Sequence, residues 1–106
     1  MNNEWAASTA FIAVDAHGTR NPISVHVGIP YQVDTAEWAC PVLIDGPDPM
    51  LRTRVSAGDA LQALGLAWVL TAHTLLGFEA RGGHIEFATG GPVPLAAYFS
   101  HLQFKQ

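Results

Sequence analysis

Charge is scarce in this sequence. Of its 106 residues only 13% are Asp, Glu, Lys or Arg, while 49% are hydrophobic, and that charged share is about half the usual one for a soluble domain. So little charge leaves apolar surface without cover, so self-association or a protein partner is expected. Basic residues are scarcer still: Arg20, Arg52, Arg54, Arg81 and Lys105 are scattered along a chain of net charge −4. They form no patch for a phosphate backbone, which excludes direct nucleic-acid binding. Cysteine occurs once, as Cys40, so no intramolecular disulfide can form and a reducing cytoplasm fits. The opening Met1-Asn2-Asn3-Glu4 has neither the positive charge nor the apolar run of a signal peptide. Also missing are Gly-x-Gly-x-x-Gly, Gly-x-Ser-x-Gly, His-x-x-x-His and Cys-x-x-Cys spacings. No metal, no cofactor and no enzymatic activity are therefore expected.

What is present is a long apolar segment from Ser56 to Phe78. Ser56 and Asp59 stand in the spacing of a capping box, which predicts a helix start at Ser56. Leu61, Leu64, Trp68, Leu75 and Phe78 then recur at three- and four-residue steps, with Ala60, Ala63, Ala67 and Leu70 on an adjacent side, so the large set is expected to pack on a sheet. Gln62 and His73 mark a narrow polar stripe. The length approaches a membrane span, but Asp59, Gln62 and His73 lie within it and strand patterns surround it, so no membrane association is expected. Gly82 and Gly83 supply a left-handed stop, and Arg81 suits the helix end.

Ser8 to Ala16 has β-favouring bulk in Phe11, Ile12 and Val14, and it runs into the turn-forming His17 to Pro22. Ile23, Val25, Val27 and Ile29 alternate with Ser24, His26 and Gly28 in a second strand that ends near Pro30. Trp38, Cys40, Val42 and Ile44 share a face of a third, in which Pro41 implies an edge or a bulge. Gln32 to Glu37 reads as a polar interval, Asp45 to Pro49 as a loop, and Arg52 to Val55 as a bridge to the helix. His84 to Ala88 alternates again as a fourth strand, and Leu95 to Phe104 reads as a short helix or tail. The whole, residues 1–106, is one domain. It is an α+β fold with a single antiparallel sheet, element order β-β-β-α-β, and one long apolar helix packed on it.

Gly28-Ile29-Pro30, Trp38 to Gly46 and Gly58 to Ala67 together resemble a family of small uncharacterised bacterial domains over roughly residues 8–88. The landmarks are Gly-x-Pro, Trp-x-Cys-Pro and Asp-Ala-Leu-Gln-Ala-Leu. The resemblance implies no catalytic residues, and it implies the company of proteins encoded near secreted toxins.

From Asn21 through Leu51 there is no Lys or Arg, while Asp34, Glu37, Asp45 and Asp48 flank the Trp38 strand. With Tyr31 and Trp38 these acids are a candidate partner-binding rim, in which aromatics supply contact area and charge speeds association. The two loops lie at opposite ends of the strand, so the four acids need not form one patch. The expected function is a non-enzymatic bacterial protein-binding module, most concretely an immunity protein neutralising a cognate toxin in interbacterial competition. The alternative is a small enzyme or ligand-binding domain using His26, His84 and Glu86, if their strands are neighbours. Cys40 is read as core rather than nucleophile.

Overall fold

The computed structural model of the chain describes residues 5–46 and 50–99. Six antiparallel strands form one sheet: β1 (Trp5–Val14), β2 (Arg20–Gly28), β3 (Tyr31–Asp34), β4 (Glu37–Asp45), β5 (Leu51–Ala57) and β6 (His84–Phe87). Helix α1 (Ala60–Ala80) covers one face, and a short α2 (Leu95–Tyr98) follows β6. The sequence-based order therefore holds in outline but is two strands short. The polar interval contains β3, which forms a hairpin with β4, and the supposed bridge at Arg52 to Val55 is strand β5, paired with β4 from Ile44↔Leu51 to Trp38↔Ala57.

Strand β4 is the axis of the sheet. One of its edges carries β5, and the other carries β2 along Val42 to Asp45 and β3 along Glu37 to Ala39. Between Val27↔Val42 and Tyr31↔Ala39 the β2–β3 line gains one residue, so Gly28-Ile29-Pro30 forms an irregularity opposite Cys40 and Pro41. A proline lacks the N–H that a ladder needs, and an extra residue on the facing strand accommodates it. Gly28 is required there, because a Cβ on it would lie 2.7 Å from Pro41 Cδ. The Cys40 thiol closes the same spot by donating to the Gly28 carbonyl at 3.3 Å.

Helix α1 starts at Asp59, not at Ser56. The Asp59 carboxylate accepts the Gln62 N–H at 2.8 Å, and the Gln62 side-chain oxygen accepts the Gly58 N–H at 3.1 Å. Ser56 lies in β5, so the capping residue is the second polar group of the expected pair. The helix ends in a Schellman arrangement, with Gly83 N–H bonding the Phe78 carbonyl and Gly82 N–H the Glu79 carbonyl, and Gly82 at φ +97°.

The buried seam of α1 is Ala63, Ala67, Thr71, Ala72 and Leu75, a line of small residues that lets the helix lie close over β4 and β5. Thr71 belongs in that seam because its hydroxyl donates to the Ala67 carbonyl at 2.8 Å. Leu75 packs with Ile23, Val25, Ile44 and Ile85 in one cluster, closed by Val93, Leu95 and Phe99. Val27, Cys40 and Val42 meet Ala63 and Ala67 in a second, with Leu64 and Trp38 packed against it and Trp68 against both. Leu61 was expected in this core and is instead 81% exposed. Thus the large residues expected to face the sheet are divided between core, margin and solvent.

Candidate protein-binding surface

The N-terminal half of α1 stands away from β1, and an apolar groove of about 410 Å³ runs between them. Its floor is Ala6, Ala7 and Val27, and its wall is Leu61, Leu64, Gly65 and Trp68. Beyond Trp68 a shallower cavity of about 110 Å³ continues toward Thr71, Tyr98 and Phe99. Among the described residues, none that lines the groove is ionisable. Outside it Leu66 and Leu76 are also exposed on α1, a solvent-facing stripe more apolar than Gln62 and His73 alone imply. By length and a mean hydropathy of 1.4, α1 is apolar enough to cross a membrane, yet its small-residue seam is packed on the sheet. Sequence reasoning missed the groove because it assigned Leu61 inward by size. The alternation of Ala63, Ala67 and Thr71 was the signal for a close-approaching face.

The expected acidic rim is not one surface. Asp34 and Glu37 face each other across the β3–β4 turn, where Asp34 accepts the Ala36 N–H at 2.8 Å. Asp45 is at the other end of β4, roughly 26 Å away at the usual strand rise, and Asp48 lies outside the described residues. Nor is the rim free of basic groups, because β5 returns Arg52 and Arg54 beside β4. Arg54 donates to the Tyr31 hydroxyl at 2.7 Å. That bond, with the charge of Glu37, raises the guanidinium pKa further. Tyr31 is exposed, but Trp38 packs against the second core cluster with Cys40 and Val42. Of the six rim residues, then, the structure brings together Tyr31, Asp34 and Glu37.

The histidines are also divided. Strands β2 and β6 flank β1 on opposite sides, so the neighbouring strands that the catalytic alternative requires are not neighbours. His26 bonds the Ser8 hydroxyl through Nδ1 at 2.7 Å and stacks on Trp5 at 4.8 Å. His84 Nε2 lies 3.0 Å from Glu86, whose other oxygen accepts from Arg20 at 2.7 Å. Arg20 first, and His84 second, hold the Glu86 carboxyl below its ordinary value. Both its oxygens are engaged, so it is poorly placed as a general base. Among the described residues no three of His, Cys, Asp and Glu are grouped to hold a metal. Cys40 is fully buried, and burial pushes its thiol pKa up, the opposite of nucleophilic activation.

A family model described as a domain of unknown function, DUF6968, matches residues 11–94. The chain belongs to that family. No curated protein and no solved structure matches it. The DUF6968 segment contains Gly28-Ile29-Pro30, the Trp38 strand and the Asp59 helix start, and it begins at Phe11, the residue at which β6 first pairs with β1. Trp5 to Ala10, with the Ala6 and Ala7 of the groove floor, precede it.

Proposed function

We propose that this DUF6968 chain is a non-enzymatic protein-binding module, and in its most concrete form a cytoplasmic immunity protein that binds and neutralises a cognate secreted toxin. One observation carries the reading: an apolar groove beside Trp68, walled by the exposed Leu61, and further exposed leucines on α1 at Leu66 and Leu76 leave apolar surface on a chain with little charge. Surfaces of that kind mark interaction sites. Tyr31, Asp34 and Glu37 supply a polar margin at the β3–β4 turn, suited to steering a basic partner rather than anchoring it. The toxin-directed form rests on the resemblance of the Gly-x-Pro, Trp-x-Cys-Pro and helix-start landmarks to small bacterial domains of that setting. A catalytic reading lacks comparable support, since His26 and the His84–Glu86 pair have different neighbours.

The test is co-expression with the toxin-type product of the adjacent gene, scored by growth and by complex formation between purified proteins. Wild type should protect. Leu61→Glu with Leu66→Glu should abolish protection while the unfolding midpoint stays near wild type, because both side chains face solvent. Protection unchanged in that folded double variant would remove the α1 face from the interface, and no complex with the adjacent product would overturn the toxin-directed reading.

A further inference from the structure

We infer that the solvent face of α1 is the interface of a homodimer, in which the helix packs antiparallel on α1 of a second copy of this chain, about a twofold axis level with Thr71. The inference goes beyond the protein-binding reading and does not depend on it. From Ala60 to Phe78 the chain has no Asp, Glu, Lys or Arg, although a helix that packs one face on a sheet normally carries charge on the other. That other face is the line Gln62, Leu66, Val69, His73, Leu76 and Ala80. At about 3.6 residues per turn it lies opposite the buried seam of Ala63, Ala67, Thr71 and Leu75. Leu66 is 45% exposed and Leu76 36%, and among the described residues Leu66, Val69 and Leu76 pack on neither core cluster.

The spacing selects the occupant. Alternating steps of four and three residues from Gln62 to Ala80 are the repeat by which one helix seats along another. With the second copy antiparallel and Thr71 at the centre, Leu66 meets Leu76 of the other copy, Val69 meets His73 and Gln62 meets Ala80. The twofold axis then repeats every contact, as an isologous interface requires. The ends match in charge as well: the exposed Asp59 of one helix comes level with the exposed Arg81 of the other, and each helix N-terminus adjoins a C-terminus. A membrane fits this face less well, because the line holds no Lys or Arg to meet headgroups. A helix about 31 Å long and about 10 Å wide offers a footprint on the order of 300 Å². That is less than the roughly 800 Å² per partner of a standard interface, so the pair is weak and forms as concentration rises.

Sedimentation velocity of the full chain, from about 1 to about 500 μM to span weak association, should show a reversible monomer–dimer equilibrium. Leu66→Glu with Leu76→Glu puts two carboxylates into each leucine layer and should raise the dissociation constant at least about tenfold, with an unchanged circular dichroism spectrum. Cross-linking reads the orientation without adding charge. A Leu66→Cys chain mixed with a Leu76→Cys chain and oxidised with diamide should give a disulfide-linked dimer of unlike chains. Either chain alone should give little, because like positions lie about 15 Å apart along the paired axes, beyond the roughly 7 Å that a disulfide spans. The native Cys40 is buried and serves as the background control. A chain that stays monomeric throughout the series overturns the proposal, as does a dimer that the two glutamates leave intact. So does Leu66→Cys linking to itself as readily as to Leu76→Cys. A monomer that binds lipid vesicles through Leu66 and Leu76 also overturns it and assigns the face to a membrane. None of these measurements uses a toxin, so their failure leaves the protein-binding reading standing.

Discussion

From Phe11 to Val14, β1 lies between β2 and β6, with Phe11, Ala13 and Val14 buried. From Trp5 to Ala10, among the described residues, the same strand pairs with β2 alone, with an irregularity between Trp5 and Ala7, and Ala6 to Ala10 are exposed. Helix α1 repeats the contrast. Leu75, in its second half, is sealed among Ile44, Ile85, Leu95 and Phe99, whereas Leu61, in its first, stands in solvent above the groove. Among the described residues, burial at both places follows what comes after α1: β6 and α2 close one end of the helix–sheet interface, and Leu61 stays exposed at the other. The closed end supplies stability, and the open end supplies a surface.

The largest expected effect tests that division directly. Leu75→Ala should cost about 2–5 kcal/mol, the range for a core leucine, and Leu61→Ala should stay within about 0.5 kcal/mol, both read from urea unfolding. Comparable losses would mean that the two halves of α1 are equally buried and that the groove is not open.

A smaller effect belongs to the junction of β2, β3 and β4. Gly28→Ala sets a methyl against the Pro41 ring and should cost about 1–3 kcal/mol, as overpacking does. Pro41→Ala in the same chain should recover part of that loss in a double-mutant cycle. Additive losses would place the strain elsewhere.

Much of the closed end was legible in the sequence, and the open end was not. Period-two alternation through Ile23 to Val27 and Trp38 to Ile44 fixed strands and inward faces, because a half-buried strand has one reading. Strand β5 has the same period, with Leu51, Thr53, Val55 and Ala57 against Arg52, Arg54 and Ser56. Its two arginines and the helix-start signal beside it disguised it as a connection. The orientation of α1 was misread because size stood in for burial, whereas a helix lying close on a sheet buries Ala63 and Ala67 and turns Leu61 out. The surroundings of the acidic rim were not legible for a topological reason: a basic-free stretch of sequence acquires Arg54 from the next strand. No local pattern contains that information.

The helix start offers a test of intermediate size. Asp59→Ala should cost about 1 kcal/mol, as loss of a capping side chain does, while Ser56→Ala, in exposed β5, should change little. The reverse ranking would restore Ser56 as the cap and shift the groove wall by nearly a turn.

The smallest effect concerns pH at the closed end, where Arg20 and His84 flank Glu86. Hydrogen bonding to Arg20 lowers the Glu86 pKa in the folded state, so the folded protein binds its proton less readily than the unfolded chain, in which a glutamate titrates near about 4.3. The contribution is therefore fully present above that unfolded value and is lost as pH falls through the lowered folded one. Because the site is solvent-exposed, screening keeps the effect small. Arg20→Gln should move the unfolding midpoint slightly at pH 7 and progressively less as pH falls below the unfolded glutamate value, so its curve of midpoint against pH should be flatter than that of wild type on the acid side. A shift that does not change with pH across that acid range would show that Arg20 acts on stability through the packing of its aliphatic stem, and that the Glu86 ion pair contributes nothing to the closed end.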